Sequence, residues 1–377
     1  MSQLSYYFKE KTDLIDKILI LSILLIPLSL AISIFFADLL ASICGLILIY
    51  FFLTKKNYDI FKKVKKEICY FALFYLIVLI SLALSEYKQE SFLASFFYFR
   101  YFLLSLTIFY LLKKYDFYFK IFFFTVIISI GFVILDSFIQ QIVGFNLFGY
   151  SKEGTLEKDS LIYITSFFDD EKKLGSYLVR FTPLILSLIY FYKAKLPIYS
   201  DFATLVLVGS IVFFSSERTA LLLLFVIYLF YFFISEKKLN FIILLIFVFS
   251  ILFTYNNDTR LVKKYTHFTL NQIGLDNIFK KEKNKNEIVR YYSEEHENLS
   301  FTGLVIFKNN LIFGTGIKSF FQECTNLKLK ENYYNQDYFK SQQSKRNNKL
   351  VCSTHPHNTY IQILSEVGIF GFIIILM

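Results

Sequence analysis

The sequence predicts an all-α fold: a polytopic transmembrane helical bundle of about ten helices, with a large extramembrane loop ahead of the last one. Three observations lead there. Of 377 residues, 55% are hydrophobic and 20% aromatic, with 48 Phe, 28 Tyr and no Trp, more apolar surface than a soluble core absorbs. The apolar residues fall in blocks of roughly 17 to 25, the length at which an α-helix crosses about 30 Å of hydrocarbon. Lysine collects in alternate loops, as it does on the cytoplasmic side of membrane proteins.

In chain order the blocks run over residues 18–36, 37–54, 68–84, 91–112, 119–143, 174–192, 202–216, 219–234, 239–255 and 357 to the end. The first has no small-residue cleavage site behind it and is followed at once by the second, so it reads as a retained helix rather than a signal peptide. The N-terminal segment, "KKNYDIFKKVKKE", "KKYDFYFK", "KAK" and "EKK" carry lysine, whereas the alternating loops "FFAD", "SEYKQE" and "SSERTA" are poor in it. That pattern places the N-terminus inside and the segment from about 256 to 356 outside. The expected organisation is a bundle over 1–255, a periplasmic loop domain over 256–356, and a final helix over 357–377. The chain stops at Met377 inside an apolar block with no lysine flank, so further sequence is expected beyond it.

The net charge of +10 has two sources. Cytoplasmic lysines follow from topology and anionic lipid, and call for no nucleic acid. The outer segment holds 16 Lys and Arg against 10 Asp and Glu over residues 256–354, which topology does not explain. An anionic ligand on that face is one explanation; a lysine-rich composition throughout the proteome is the other. Of the four cysteines, Cys44 and Cys69 lie in apolar blocks, and Cys324 and Cys352 lie in the outer segment, where an oxidising compartment favours a disulfide between them. Grouping these two with His355 and His357 as metal ligands fits no common spacing, so no metal is expected.

Ionisable residues inside membrane spans are unfavourable and are by default paired or functional. Arg100, Asp136 and Arg180 all fall about 9 to 14 Å below the outer end of their blocks, counting about 1.5 Å per residue. Either Arg100 and Asp136 pair, or the arginines face an anionic group in an outward-opening cavity. Arg218 sits in the tight turn "FFSSERTA", with Ser215, Ser216 and Thr219 as further donors; its planar fork suits a phosphate, and snorkelling to the interface is the plainer alternative.

Ser353, Thr354, His355 and Pro356 read as a helix-start signal that places His357 in the first turn of the last helix. The positive end of a helix dipole favours a nearby anion and the neutral imidazole, the form able to act as a general base. Gly368, eleven positions on, and Gly371 are small residues that let a neighbouring helix approach.

Residues "HNTYIQILSEVGIFG" resemble the His-[Asn/Ser/Gln]-x9-Gly-x-x-Gly pattern of the O-antigen ligase and polymerase superfamily, with His357, Asn358, Gly368 and Gly371 at its fixed positions. "LDSFIQQIVGFNLFG" looks like that family's Asp-x-x-x-Gln-x-x-x-Gly segment. "SSERTALLLL" is similar to its Ser-Arg-Thr/Gly-Ala turn, and "NNLIFGTGIKSF" to its Gly-x-Gly element. Phe372 and Ile373 stand where ligases often carry Thr.

The resemblance implies a membrane glycosyltransferase of the integral, GT-C-like type, needing no metal and no cofactor, in the bacterial inner membrane with its site facing the periplasm. Its donor would be a glycan on undecaprenyl pyrophosphate and its acceptor a lipid A-core sugar hydroxyl. Alternatives with other acceptors are an O-antigen polymerase and a protein O-oligosaccharyltransferase; a lipid-linked sugar transporter is the non-enzyme alternative. By the same resemblance His357 with Asn358 is the catalytic pair and Arg218 a pyrophosphate anchor. A second family arginine corresponds to Arg290 or, by spacing, His296. Arg180, Arg100 and His355 complete the expected substrate-binding set.

Overall fold

The computed structural model describes residues 13–54, 58–152, 163–169, 171–191, 199–234, 294–333 and 349–377. The protein is an all-α, membrane-integral helical chain; an isolated bridge joins Phe145 and Ser151. Seven stretches are long and apolar enough to span a bilayer: Leu14–Ile32, Ile34–Thr54, Phe61–Leu84, Lys88–Lys114, Tyr118–Val143, Leu174–Phe191 and Thr359–Leu376. The two shortest predicted blocks form shorter apolar helices, Ser200–Phe214 and Arg218–Ile234, and the block at 239–255 lies outside the described residues.

In chain order the helices are α1 (Leu14–Ile32), α2 (Ile34–Thr54), α3 (Lys65–Leu84), α4 (Lys88–Phe96), α5 (Phe99–Lys114), α6 (Asp116–Val143), α7 (Leu174–Phe191), α8 (Ser200–Phe214), α9 (Arg218–Ile234), α10 (Glu294–Asn309), α11 (Phe320–Tyr333) and α12 (Thr359–Leu376). The fourth predicted block is therefore two helices. Tight backbone bonds from Tyr98 to Ser95 and from Arg100 to Phe97 turn the chain between α4 and α5. The polar stretch after Cys324 continues as helix through Tyr333, and residues 334–348 are outside the described set.

The chain divides into two compact units, residues 1–54 with 106–266, and residues 55–105 with 267–377. In the first, α1 packs along α2 and against α6, while α7, α8 and α9 pack on one another around Leu178, Val208, Ile211 and Leu224. Lipid tails are as apolar as these side chains, so close van der Waals packing, rather than removal from water, holds the unit's faces together in a bilayer. Asp16 of α1 is buried and accepts from Lys114 Nζ at 2.6 Å and from the Tyr110 and Tyr115 hydroxyls, a polar clasp between α1 and the end of α5.

The second unit carries α12 at its centre, with α10 and α3 packed on it and α11 beside α10. Leu299, Ile306 and Phe320 form its apolar cluster, together with Cys324. Cys324 of α11 is joined to Cys352 by a disulfide, with 5.6 Å between the Cα atoms, which ties α11 to the segment leading into α12.

Candidate functional site

The mouth of α12 differs from the helix start expected from the sequence. The cap is Asn358, whose side-chain oxygen accepts from the N–H groups of Tyr360 (3.0 Å) and Ile361 (3.2 Å). A short amide in extended backbone satisfies two otherwise orphaned donors there, so the helix begins at Thr359 and Ser353, Thr354 and Pro356 lie ahead of it. His357 consequently precedes the helix instead of occupying its first turn, and its φ of 53° is left-handed. That conformation costs a non-glycine residue about 1–2 kcal/mol. The side chain is exposed.

Three histidines meet at this point. The ring of His355 lies 4.2 Å from that of His357, centroid to centroid, and the ring of His296, in the first turn of α10, lies 5.4 Å from that of His357. Thr354 Oγ1 is 2.9 Å from His355 Nδ1 and orients that ring. Burial and the neighbouring His357 both hold the His355 pKa below its ordinary value, so a second positive charge is disfavoured here. Of the two residues the sequence offered as a second anchor, His296 is thus beside His357, and Arg290 lies outside the described residues. Among the described residues no group of three or more His, Cys, Asp or Glu is arranged to hold a metal ion.

Below the mouth, α12 is interrupted. Gly368 has φ 79° and ψ −173°, a region open in practice only to glycine, and the helix resumes after it. The carbonyls this frees are taken up by the "FGTGI" loop between α10 and α11. Thr315 N–H donates to Ser365 O at 3.0 Å and Gly316 N–H to Glu366 O at 2.9 Å. Ser81 Oγ also donates to Glu366 O, and Ile369 N–H returns a bond to Leu311 O. In a membrane span such groups must be satisfied within the protein. The close partner that Gly368 admits is therefore loop backbone, not a neighbouring helix as the sequence implied: a methyl there would lie 2.3 Å from Ile312 O. A methyl at Gly314 would lie 2.4 Å from the Glu366 carbonyl carbon. The two glycine motifs are the halves of one backbone lock.

The first unit holds the other motifs. Asp136 is fully buried and accepts from Leu147 N–H at 2.8 Å, Asn146 Nδ2 at 3.4 Å and the Ser166 hydroxyl. One turn on, Gln140 Oε1 accepts from the N–H groups of Thr165 and Ser166, and Gly144 ends α6 in the left-handed conformation. The Asp-x-x-x-Gln-x-x-x-Gly segment thus organises the loop after α6, and three donors of its own unit satisfy the buried Asp136.

In the Ser-Ser-Glu-Arg-Thr turn it is Glu217 that is committed. Its carboxylate accepts from Gly175 N–H (2.6 Å), Ser176 N–H (2.9 Å) and the Ser176 hydroxyl (2.6 Å), at the N-terminus of α7. Arg218 follows as the first residue of α9, half-buried. Arg180 is exposed on α7. Arg100, near the start of α5, stacks on the Tyr101 ring at 4.8 Å and donates to its hydroxyl. Sequence reasoning noted Glu217 only as the neighbour of Arg218 and passed over Gln362 and Glu366. For Glu217 the signal was a charged residue inside a turn, and for Glu366 a carboxyl in an apolar run.

Residues 203–376 match the family described as O-Antigen ligase. This segment, just under half of the chain, supports a place in the O-antigen ligase and polymerase superfamily. The matched region contains the Arg218 turn, the backbone lock and the histidine mouth. The superfamily is one of membrane glycosyltransferase-type enzymes acting on lipid-linked glycans. No curated protein and no solved structure matches the chain.

Proposed function

We propose that this chain is an O-antigen ligase-type glycosyltransferase of the bacterial plasma membrane. It moves a glycan from undecaprenyl pyrophosphate to a lipid A-core sugar hydroxyl, with its N-terminus in the cytoplasm and its site facing the periplasm. The observation that carries the reading is His357. It lies in the matched domain, exposed, held ahead of the helix by the Asn358 cap, and grouped with His296 and His355. The Cys324–Cys352 disulfide supports an oxidising compartment for this end of the molecule.

The reaction is a displacement at the anomeric carbon. The acceptor oxygen forms the new glycosidic bond as the bond to the pyrophosphate oxygen breaks. His357 takes the hydroxyl proton during attack, and Asn358 fixes its approach. Arg218, with Arg290 or His296, stabilises the charge gathering on the departing undecaprenyl pyrophosphate. Arg180, Arg100 and His355 serve substrate binding, and no metal or cofactor takes part. A second reading, the O-antigen polymerase whose acceptor is another lipid-linked glycan, is favoured by Phe372 and Ile373 at the positions where ligases often carry Thr.

The test uses the full chain in vesicles, with an undecaprenyl-pyrophosphate-linked oligosaccharide and lipid A-core as acceptor. Transfer to lipid A-core, insensitive to chelator and lowered about 10²–10⁴-fold in His357→Ala, is the expected result. Elongation of the lipid-linked glycan alone selects the polymerase. Full transfer by His357→Ala overturns the role of His357.

A further inference from the structure

Glu366 raises a question that the proposed chemistry does not answer. It is a carboxyl only 2% exposed, inside a candidate membrane span, about two helical turns below the histidine mouth. The backbone lock does not require it, because Thr315 and Gly316 bond to main-chain carbonyls that any residue would supply. The Glu366 carboxyl oxygen Oε2 accepts from Gln362 Nε2 at 3.1 Å. The backbone of Lys318 and Phe320 lies on the loop side of the carboxyl. Buried ionisable groups in membrane spans are unfavourable and persist where they serve a function.

Asn358, Gln362 and Glu366 stand at i, i+4 and i+8, one above the other on a single face. Gln362 N–H also bonds to Asn358 O at 2.9 Å, which sets Gln362 one turn inside the cap. Its side chain is half-buried. With its NH2 group turned to the Glu366 carboxyl, the Gln362 amide presents its carbonyl oxygen as an acceptor on the opposite side. A planar acceptor one turn below a general base is placed to receive a hydrogen bond from a second hydroxyl of the same sugar whose first hydroxyl is deprotonated.

We propose that Gln362 is a saccharide-binding residue of the acceptor subsite, taking a hydrogen bond from a sugar hydroxyl through its amide oxygen, and that Glu366 is the positioning residue that fixes this amide. The inference rests on the reading of His357 as the base acting on an acceptor sugar. Gln362 adds discrimination: a site built to bond a hydroxyl rejects a sugar lacking it more strongly than an apolar wall selects for one.

The experiment measures transfer from an undecaprenyl-pyrophosphate-linked oligosaccharide to lipid A-core by the full chain in vesicles, varying each substrate in turn. Gln362→Met keeps the side-chain length and removes the acceptor. It is expected to raise the KM for lipid A-core about tenfold, the worth of one hydrogen bond, with the donor KM within about twofold. Glu366→Gln, which can no longer select one end of the amide, is expected to raise the same KM severalfold and leave the donor KM alone. An unchanged acceptor KM in Gln362→Met, or equal rises for donor and acceptor in both variants, overturns the subsite. Loss of the underlying reading has a separate signature: wild type then fails to glycosylate lipid A-core, or His357→Ala retains full transfer.

Discussion

Gly368 and Ile312 meet backbone to backbone: a β-carbon on Gly368 would lie 2.3 Å from the Ile312 carbonyl oxygen and 2.5 Å from its carbon. Neither atom belongs to a side chain that can rotate away. Gly368→Ala therefore combines a steric overlap with a backbone conformation reserved for glycine. A loss of more than about 3 kcal/mol is expected, with a matching drop in thermal midpoint in detergent. Gly131, within α6 with open space at its β-carbon, is the control, and alanine there should be neutral or stabilising.

Asp136 anchors the loop after α6 through three donors. Asp136→Ala leaves these donors without an acceptor and should destabilise the first unit by about 3–5 kcal/mol, while Asp136→Asn, which keeps one acceptor oxygen, should cost less. Limited proteolysis between residues 144 and 173 reads the effect: faster cleavage in Asp136→Ala than in Asp136→Asn is the expected order, and equal rates to wild type would contradict the anchoring role.

The Cys324–Cys352 disulfide closes a sequence separation of 28 residues. Constraint of a loop this size stabilises by about 3 to 4 kcal/mol. Reductant should lower the thermal midpoint of the wild type and leave that of the double Cys→Ser variant unchanged, since the latter has nothing to reduce.

The His355 imidazole holds its proton less readily than the ordinary value of 6.5, because burial and the adjacent His357 oppose the charge. The folded state then binds fewer protons than the unfolded state just below pH 6.5, so stability is full above that pH and falls as the pH drops through it. Thermal midpoints of wild type should decline between pH 7 and pH 5 more steeply than those of His355→Asn, which has no proton to gain at that position. A parallel decline in the two proteins would place the effect elsewhere.

Much of the fold was legible because the bilayer imposes a length rule: helix after helix falls within a few residues of an apolar block, from Leu14–Ile32 to Thr359–Leu376. The break between α4 and α5 was not legible, since "FFYFR" is as apolar as its flanks and carries no Gly or Pro. The interruption at Gly368 was read as a packing glycine for a related reason. A lone glycine in an apolar run marks close approach without saying what approaches. The cap at Asn358 went to the wrong residues because Ser, Thr and Pro upstream satisfy the same helix-start rules, and only the hydrogen bonds to Tyr360 and Ile361 decide between them. Proximity of His296 to His357 is a tertiary fact, with some sixty residues between them in sequence.

The interruption of α12 also bears on the order in which the chain matures. Ser365 and Glu366 expose carbonyls that hydrocarbon cannot solvate, and the donors that meet them, Thr315 and Gly316, lie about fifty residues earlier in the chain. Synthesis runs from the N-terminus, so the receiving loop leaves the ribosome before the helix that needs it. When helix α12 emerges, the loop whose N–H groups take up its freed carbonyls has therefore already been synthesised.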